Sequence, residues 1–328
     1  MNGTPFKLGR FARGAEQFTA LVIGGQAVPL AAANQAYRDG RGRGVAADAL
    51  DGVLETWDAS FPALQEIVAF VEKEGAGRFK PAPLDALRAL PPVRRPGKMF
   101  YAAQNFQEHV DEMLRSGMSR VAGAAKGFTG EKKTTRPYLF LKAPSCLAGA
   151  ADDIQIPRGM TRIDWEAEIA LAIGRPGKRI KAERALDHVA GFMTTNDVSC
   201  RDLQVREDRP ALRSDWLGGK CHDGFAPMGP FLVPRAFVPD HNRLFIRLTV
   251  NGEVKQNGNT SQFIFTPEEQ IEYASTLLSL EPGDVFSCGT CGGVGQGTGT
   301  FLKAGDVMET EVEGLGRMRN RFVEEKAA

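Results

Sequence analysis

Short runs of hydrophobic and polar residues follow one another through the chain, and their character changes near residue 96. Before that point, "FKLGRFARGAEQFTALVIGGQAVPL" (residues 6–30) predicts two or three short strands with a turn at Gly24-Gly25. "AAANQAYRDG" and "LDGVLETW" come next, then "FPALQEIVAFVEKEGAG" with apolar residues at Leu64, Ile67, Val68 and Val71. That spacing puts them on one face of a helix, which Gly75 ends. A Pro-rich connector at 91–96 closes a small N-terminal α/β module, expected over 1–95, ahead of a second unit over 96–328.

The second unit reads as many short strands separated by Gly and Pro. "PYLFLKAPSCLAG", "DWEAEIALAIG", "HVAGFMTTNDVS", "GPFLVP", "LFIRLTVNGEVKQ" and "GDVFSCGT" are all strand material. Asn251-Gly252 marks a hairpin, because Asn-Gly favours the turns that match strand twist. "TPEEQIEYASTLLSL" is a helix with a Thr cap, a Pro at its first position and acids in its first turn. Strands outnumber helices without alternating with them, so the expected class is strand-rich α+β rather than a doubly wound sheet.

Charge and cysteine content narrow the function. The chain has 41 Lys and Arg against 40 Asp and Glu, which gives no general pull toward nucleic acid or a membrane surface. No apolar run is long enough to span a bilayer, and "MNGTPFKLGRFARG" lacks a signal-peptide core. Five Cys without disulfide-like spacing fit a reducing compartment, so a soluble cytoplasmic protein is expected. Cys288 and Cys291 have redox or zinc spacing but no second pair, which favours packing. The glycines of "GTCGGVGQGTG" fit neither a phosphate loop nor a dinucleotide fingerprint. His188, His222 and His241 lack matching ligand partners and are expected at the surface or in local hydrogen bonds.

In "RIDWEAEIALAIG", residues 162–174, Asp164, Glu166 and Glu168 alternate with Ile163, Trp165, Ala167 and Ile169. Period 2 predicts a strand with one greasy and one acidic face. Such acids are either solvated or a metal site in need of a third ligand. Asp197, after the apolar run in "TTNDVSCRDLQ", is a candidate for that ligand, since a lone carboxylate there is costly. Glu166, Glu168 and Asp197 would form an all-oxygen site suited to Mg²⁺, with Mn²⁺ or Ca²⁺ as alternatives.

Taken in order, "PYLFLKAPSCLAG", "IDWEAEIALAIGR", "GFMTTNDVSCRDLQ", "WLGGKCHDGFAPMGPFLV", "LTVNGEVKQNGNTSQFIF" and "LEPGDVFSCGTCGGVG" resemble the fumarylacetoacetate hydrolase family from about residue 98 onward. The resemblance implies a mixed β-roll, a homodimer, and a metal held by Glu166, Glu168 and Asp197. It gives Asp164 no metal role and leaves it a solvated or hydrogen-bonded neighbour. His109 and Glu112 in "NFQEHVDEM" lie one helical turn apart, as a surface pair or as a base with its orienting carboxylate. Acylpyruvate hydrolases of the family carry a catalytic dyad at this spacing. By the same resemblance Lys220 stabilises an enolate or oxyanion, and Arg201, Gln204 and Thr290 contact substrate. Lys142 matches a family position as well, as a substrate contact or a structural ion pair.

Three departures bear on substrate. Ala103-Gln104-Asn105-Phe106 replaces the family's Gly-x-Asn-Tyr, and Cys291 replaces a proline. The stretch 113–136, with Arg115, Arg120, Lys126, Lys132, Lys133 and Arg136 against Glu131, is longer than in compact members. It is a solvated loop or a lid that reads a second substrate carboxylate. The implied activity is Mg²⁺-dependent hydrolysis of a carbon–carbon bond in an acylpyruvate-like 1,3-diketo acid such as fumarylpyruvate. Decarboxylation, isomerisation or hydration of a 2-oxo acid on the same scaffold is the alternative, and a metal-binding scaffold without catalysis stands behind both.

Overall fold

One large open sheet organises the architecture in the computed structural model, which describes residues 4–115, 135–209, 211–212 and 214–326. Its path runs Ala82–Pro83, Gln26–Pro29, Glu16–Ile23, Lys7–Arg13, Ala226–Pro234, Val189–Asn196, Ala167–Ile173, Val285–Thr290, Met99–Ala102 and Leu139–Lys142. Arg88–Leu90 and Leu147–Ala148 join at its side, giving twelve strands among the described residues. A second sheet of five strands is ordered Glu253–Asn259, Phe245–Val250, Val307–Val312, Gly316–Glu324 and Ile154–Ile156. The strand-rich α+β class expected from the pattern is the one that folds.

The Ala167–Ile173 strand explains why its sequence is apolar on both sides. Ile169, Leu171 and Ile173 face a core shared with Ile246, Leu248 and Phe322 of the second sheet. Ala170 and Ala172 face a second core with Leu64, Ile67, Val68 and Val71 of the Trp57–Glu74 helix. A strand covered on both faces has no solvent side to keep polar. Small residues on the helix side let that helix come close. A Cβ at Gly174, just past the strand, would lie 2.7 Å from Trp57 Cγ.

The acidic stretch is not one alternating strand. Ile163–Asp164 pairs with Ser199–Cys200, the chain breaks at Trp165 and Glu166, and the long strand starts only at Ala167. The break follows from where the backbone donors go. The backbone N–H groups of Trp165, Glu166 and Ala167 donate to side chains, to Asp164 Oδ1 (2.8 Å), Asn196 Oδ1 (3.0 Å) and Gln256 Oε1 (2.9 Å). Those side chains take the place of a neighbouring strand.

Elsewhere the local rules hold. Asn251 and Gly252 both have positive φ (52° and 84°) in the turn between Phe245–Val250 and Glu253–Asn259. Pro267–Leu277 is the capped helix, with Glu269 accepting the Thr266 N–H at 2.7 Å. Trp57–Glu74 stops at Gly75, where φ is 83°. The N-terminal strands extend the large sheet through Leu8, paired with Leu232, and 91–96 links Arg88–Leu90 to Met99–Ala102. Most of the basic stretch 113–136 lies outside the described residues.

Candidate active site

Strand register brings the three acids together. Ala167–Ile173 and Val189–Asn196 are antiparallel neighbours with Ala167 opposite Asn196, so Glu166 and Asp197 leave the sheet at the same end. The Asp197 N–H donates to Glu166 O at 2.9 Å. One carboxylate oxygen each from Glu166, Glu168 and Asp197 lie within 4.8 Å of one another, all buried. Three carboxylates that close repel unless cations intervene.

Cations do intervene, unevenly. Lys220 Nζ donates to Glu166 Oε2 (2.9 Å) and Asp197 Oδ2 (2.7 Å). Burial alone would raise the Glu166 carboxyl, but Lys220, Arg201 and His109 outweigh it and hold it well below the usual range. Burial likewise opposes the charge on Lys220, and Asp197 and Glu166 outweigh it, so its pKa is raised. Glu168 has no such help. Its Oε2 accepts from Ser287 Oγ and from the Gly289 N–H at 2.8 Å, while its Oε1 is buried with no partner. Burial, then Asp197 and Glu166, push its carboxyl well above the usual range.

A divalent cation fits this arrangement. The donors are all hard oxygens, one buried oxygen lacks a partner, and the group carrying it resists ionisation until a positive charge is near.

The remaining expected residues sit as follows. His109 and Glu112 lie on the Gln107–Arg115 helix, His109 Nδ1 3.6 Å from Glu112 Oε2, longer than a hydrogen bond. His109 Nδ1 is buried without a hydrogen-bond partner. Glu112 is instead seated by the Gly293 N–H, 3.1 Å from one carboxylate oxygen and 3.3 Å from the other. Arg201 donates to Asp164, to Glu166 and to Gln204 Oε1, the last at 2.9 Å. The Thr290 hydroxyl donates to Ala167 O (2.9 Å) and accepts from Gln256 Nε2 (2.8 Å).

Two residues left with alternatives take one of them. Lys142 donates to Asp197 Oδ1 (2.7 Å), Val198 O (3.0 Å) and Phe225 O (2.7 Å), so its three N–H bonds are engaged and none is left for substrate. It is an ion-pair partner of Asp197, as Lys220 is. Asp164 is not solvated: it is fully buried among N–H donors. The three other histidines behave as expected, each in a local hydrogen bond, to Arg175 O, Gly218 O and Glu268 respectively. Cys288 and Cys291 are buried free thiols.

The family model described as fumarylacetoacetate (FAA) hydrolase, C-terminal, matches residues 98–323 and so takes in the acids, Lys220 and the His109 helix. The chain belongs to the fumarylacetoacetate hydrolase family. A family relative, the human mitochondrial oxaloacetate tautomerase, is 37% identical over 250 residues, 76% of this chain and 73% of that protein. The corresponding Xenopus laevis protein is 39% identical over 236 residues, 71% of this chain and 68% of its own. Among solved structures, the fumarylacetoacetate hydrolase of Exiguobacterium antarcticum aligns with a TM-score of 0.71 at 26% identity, covering 98% of this chain and all of that one. The family fold is therefore present, and the chain is an enzyme of this family.

Sequence reading missed the neutral groups that frame the site. Gln256 Oε1 takes the Ala167 N–H while its Nε2 holds Thr290 and Cys291. Asn105 bonds Phe265 and Cys288 on the approach to the His109 helix. Ser287 reaches Glu168. The one available signal was a polar residue inside an otherwise strand-like run, as for Ser287 in "GDVFSCGT".

Proposed function

We propose that the chain is a divalent-cation-dependent enzyme of 2-oxo acid enol chemistry, and that its reaction is keto–enol tautomerisation of a small 2-oxo dicarboxylic acid of the oxaloacetate class. The observation that carries the proposal is the balance of buried charge. Asp164, Glu166, Glu168 and Asp197 are four carboxylates against three cations, Lys142, Lys220 and Arg201. A divalent cation added to this set leaves one net positive charge, which suits an anionic substrate. Bound by Glu166, Glu168 and Asp197, the cation would supply Lewis acidity to the substrate's oxygens. The Lys220 ammonium would stabilise negative charge as it develops on the enol oxygen. His109, with Nδ1 free, would carry the proton to and from carbon 3, and Glu112 would fix the ring. The names of the two sequence relatives above support tautomerisation over the other reactions of this chemistry.

Hydrolysis of an acylpyruvate such as fumarylpyruvate is the second reading, favoured by the approach of Glu112 to His109, which suits activation of a water. Both readings stabilise an enolate, so the deciding measurement is the product. With Mg²⁺, decay of enol-oxaloacetate absorbance should accelerate, and His109→Ala should lower the rate by about a hundredfold or more (the lower end of what an acid–base group contributes). Release of pyruvate from acylpyruvates without that acceleration would select hydrolysis. Neither activity, with Mg²⁺ or Mn²⁺, would overturn both.

The same reading takes the chain as a homodimer in a reducing compartment. Leu141, Leu203 and Leu217 are large, exposed and on elements that pack together beside the site, and a second copy would cover them. Sedimentation of Leu217→Asp against wild type tests this. Among the described residues no helix is long and apolar enough to cross a membrane.

A further inference from the structure

The first acid of "RIDWEAEIALAIG" has a use outside the cation site. Asp164 is fully buried and both of its oxygens are engaged. Oδ1 accepts the N–H groups of Trp165 (2.8 Å) and Gly295 (2.6 Å). Oδ2 accepts the Gln296 N–H (3.0 Å) and Arg201 Nε (2.8 Å), with Arg201 Nη2 also 2.8 Å away. The glycine-rich turn cradles an anion after all, and that anion is the chain's own carboxylate.

These contacts reach both halves of the site. On one side Arg201, fixed by Asp164 through Nε, presents Nη2 to Glu166 and Nη1 to Gln204. On the other, Gly295 and Gln296 belong to the turn that seats Glu112. Gly293 donates to the Glu112 carboxylate, and a Cβ at Gly297 would lie 2.4 Å from Glu112 Cδ. A neutral acceptor could hold the turn. A fourth buried carboxylate beside Glu166, Glu168 and Asp197 is electrostatically costly, and what its charge adds is a fixed orientation for Arg201.

We propose that Asp164 is the positioning residue that couples the cation side of the site to the His109–Glu112 side, through Arg201 in one direction and the 293–297 turn in the other. The proposal rests on the enzymatic reading above for its kinetic consequence, but not for its structural one.

Asp164→Asn keeps the shape, removes the charge, and turns an amide N–H₂ toward groups that donate. Mg²⁺ affinity by calorimetry should weaken, and kcat should fall, each by about 10- to 100-fold, the range for a lost supporting contact. The kcat loss should persist at saturating Mg²⁺, because the cation does not repair the Glu112 seat. Hydrogen exchange should quicken at 293–297 and at 107–112. Gly297→Ala displaces Glu112 alone, so its kcat loss should overlap with that of Asp164→Asn in the double variant. Arg201→Lys leaves Asp164 in place and loses Nε, and should also quicken exchange at 293–297; this arm decides the matter should Asp164→Asn not fold. A lower melting temperature with unchanged Mg²⁺ affinity, unchanged exchange at 107–112 and unchanged kcat per folded molecule would overturn the proposal. So would losses for Asp164→Asn and Gly297→Ala that multiply independently. Absence of turnover in the wild type would sink the proposed reaction only, since affinity and exchange still decide the role of Asp164.

Discussion

The two faces of the Ala167–Ile173 strand lead to interiors of opposite kind. Behind it, the Trp57–Glu74 helix closes a core of Leu64, Ile67, Val68 and Val71 on Ala170 and Ala172, with shape as its main requirement. At its end, Glu166, Glu168 and Asp197 share a buried interior with Lys220, Lys142 and Arg201, and every group there depends on the charge of its neighbours. The first interior is held by burial of apolar area. The second is held by pairing, and Glu168 is left incomplete. Stability built from shape tolerates no loss of volume, whereas the charged end gives up stability and leaves an arrangement that could hold a cation.

Substitutions should separate the two. Glu168→Gln removes the repelled charge while an amide oxygen can still accept from Ser287 and Gly289. Mg²⁺ binding and turnover should be lost by at least about a hundredfold, yet the cation-free protein should melt no lower than wild type at pH 8. A melting point several degrees below wild type would make Glu168 structural. Ile67→Ala should do the reverse, costing about 2–5 kcal/mol in denaturant unfolding with kcat per folded molecule unchanged. Gly174→Ala forces a methyl onto Trp57 and Ala190, and overpacking of this kind costs about 1–3 kcal/mol, again without a kinetic effect.

The smallest expected effect is in pH. The folded-state pKa of Glu168 lies above its reference of 4.5, so its contribution to stability is complete below that value and is lost as pH rises through the raised one. Glu166 is depressed, so its contribution is present above the ordinary carboxylate range and lost only in stronger acid. The cation-free protein should therefore weaken as pH climbs from about 4.5, and saturating Mg²⁺ should flatten that slope. Calorimetry of Mg²⁺ binding in two buffers of different ionisation enthalpy should detect proton release in this window, and Glu168→Gln should abolish it.

What the sequence made legible follows the same division. Period 3.6 from Leu64 to Val71, the Asn251-Gly252 turn and the Thr266 cap are local signals, and local geometry honours them. Glu166, Glu168 and Asp197 were legible because charge is scarce in apolar strands. The break at Glu166 was not, because most of its cause lies far along the chain: Asn196 takes the Glu166 N–H and Gln256 takes the Ala167 N–H, so the strand begins only at Ala167. Asp164 stayed open between solvated and hydrogen-bonded, because a carboxylate followed by an aromatic residue carries no sign of Gly295 and Gln296, more than a hundred residues on.

One consequence concerns observation. The chain holds three tryptophans, and each reports on a different place. Trp57 stacks on Phe61 over the helix-side core, and Trp216 lies on Phe140 four residues before Lys220. Trp165 is fully buried, with its indole N–H on Gly293 O at 3.0 Å, one residue from the first acid of the triad and on the turn that seats Glu112. Replacing Trp57 and Trp216 with phenylalanine would leave a single tryptophan, inside the site. Its emission maximum and quenching, excited where tyrosine does not absorb, would then follow cation loading without a label.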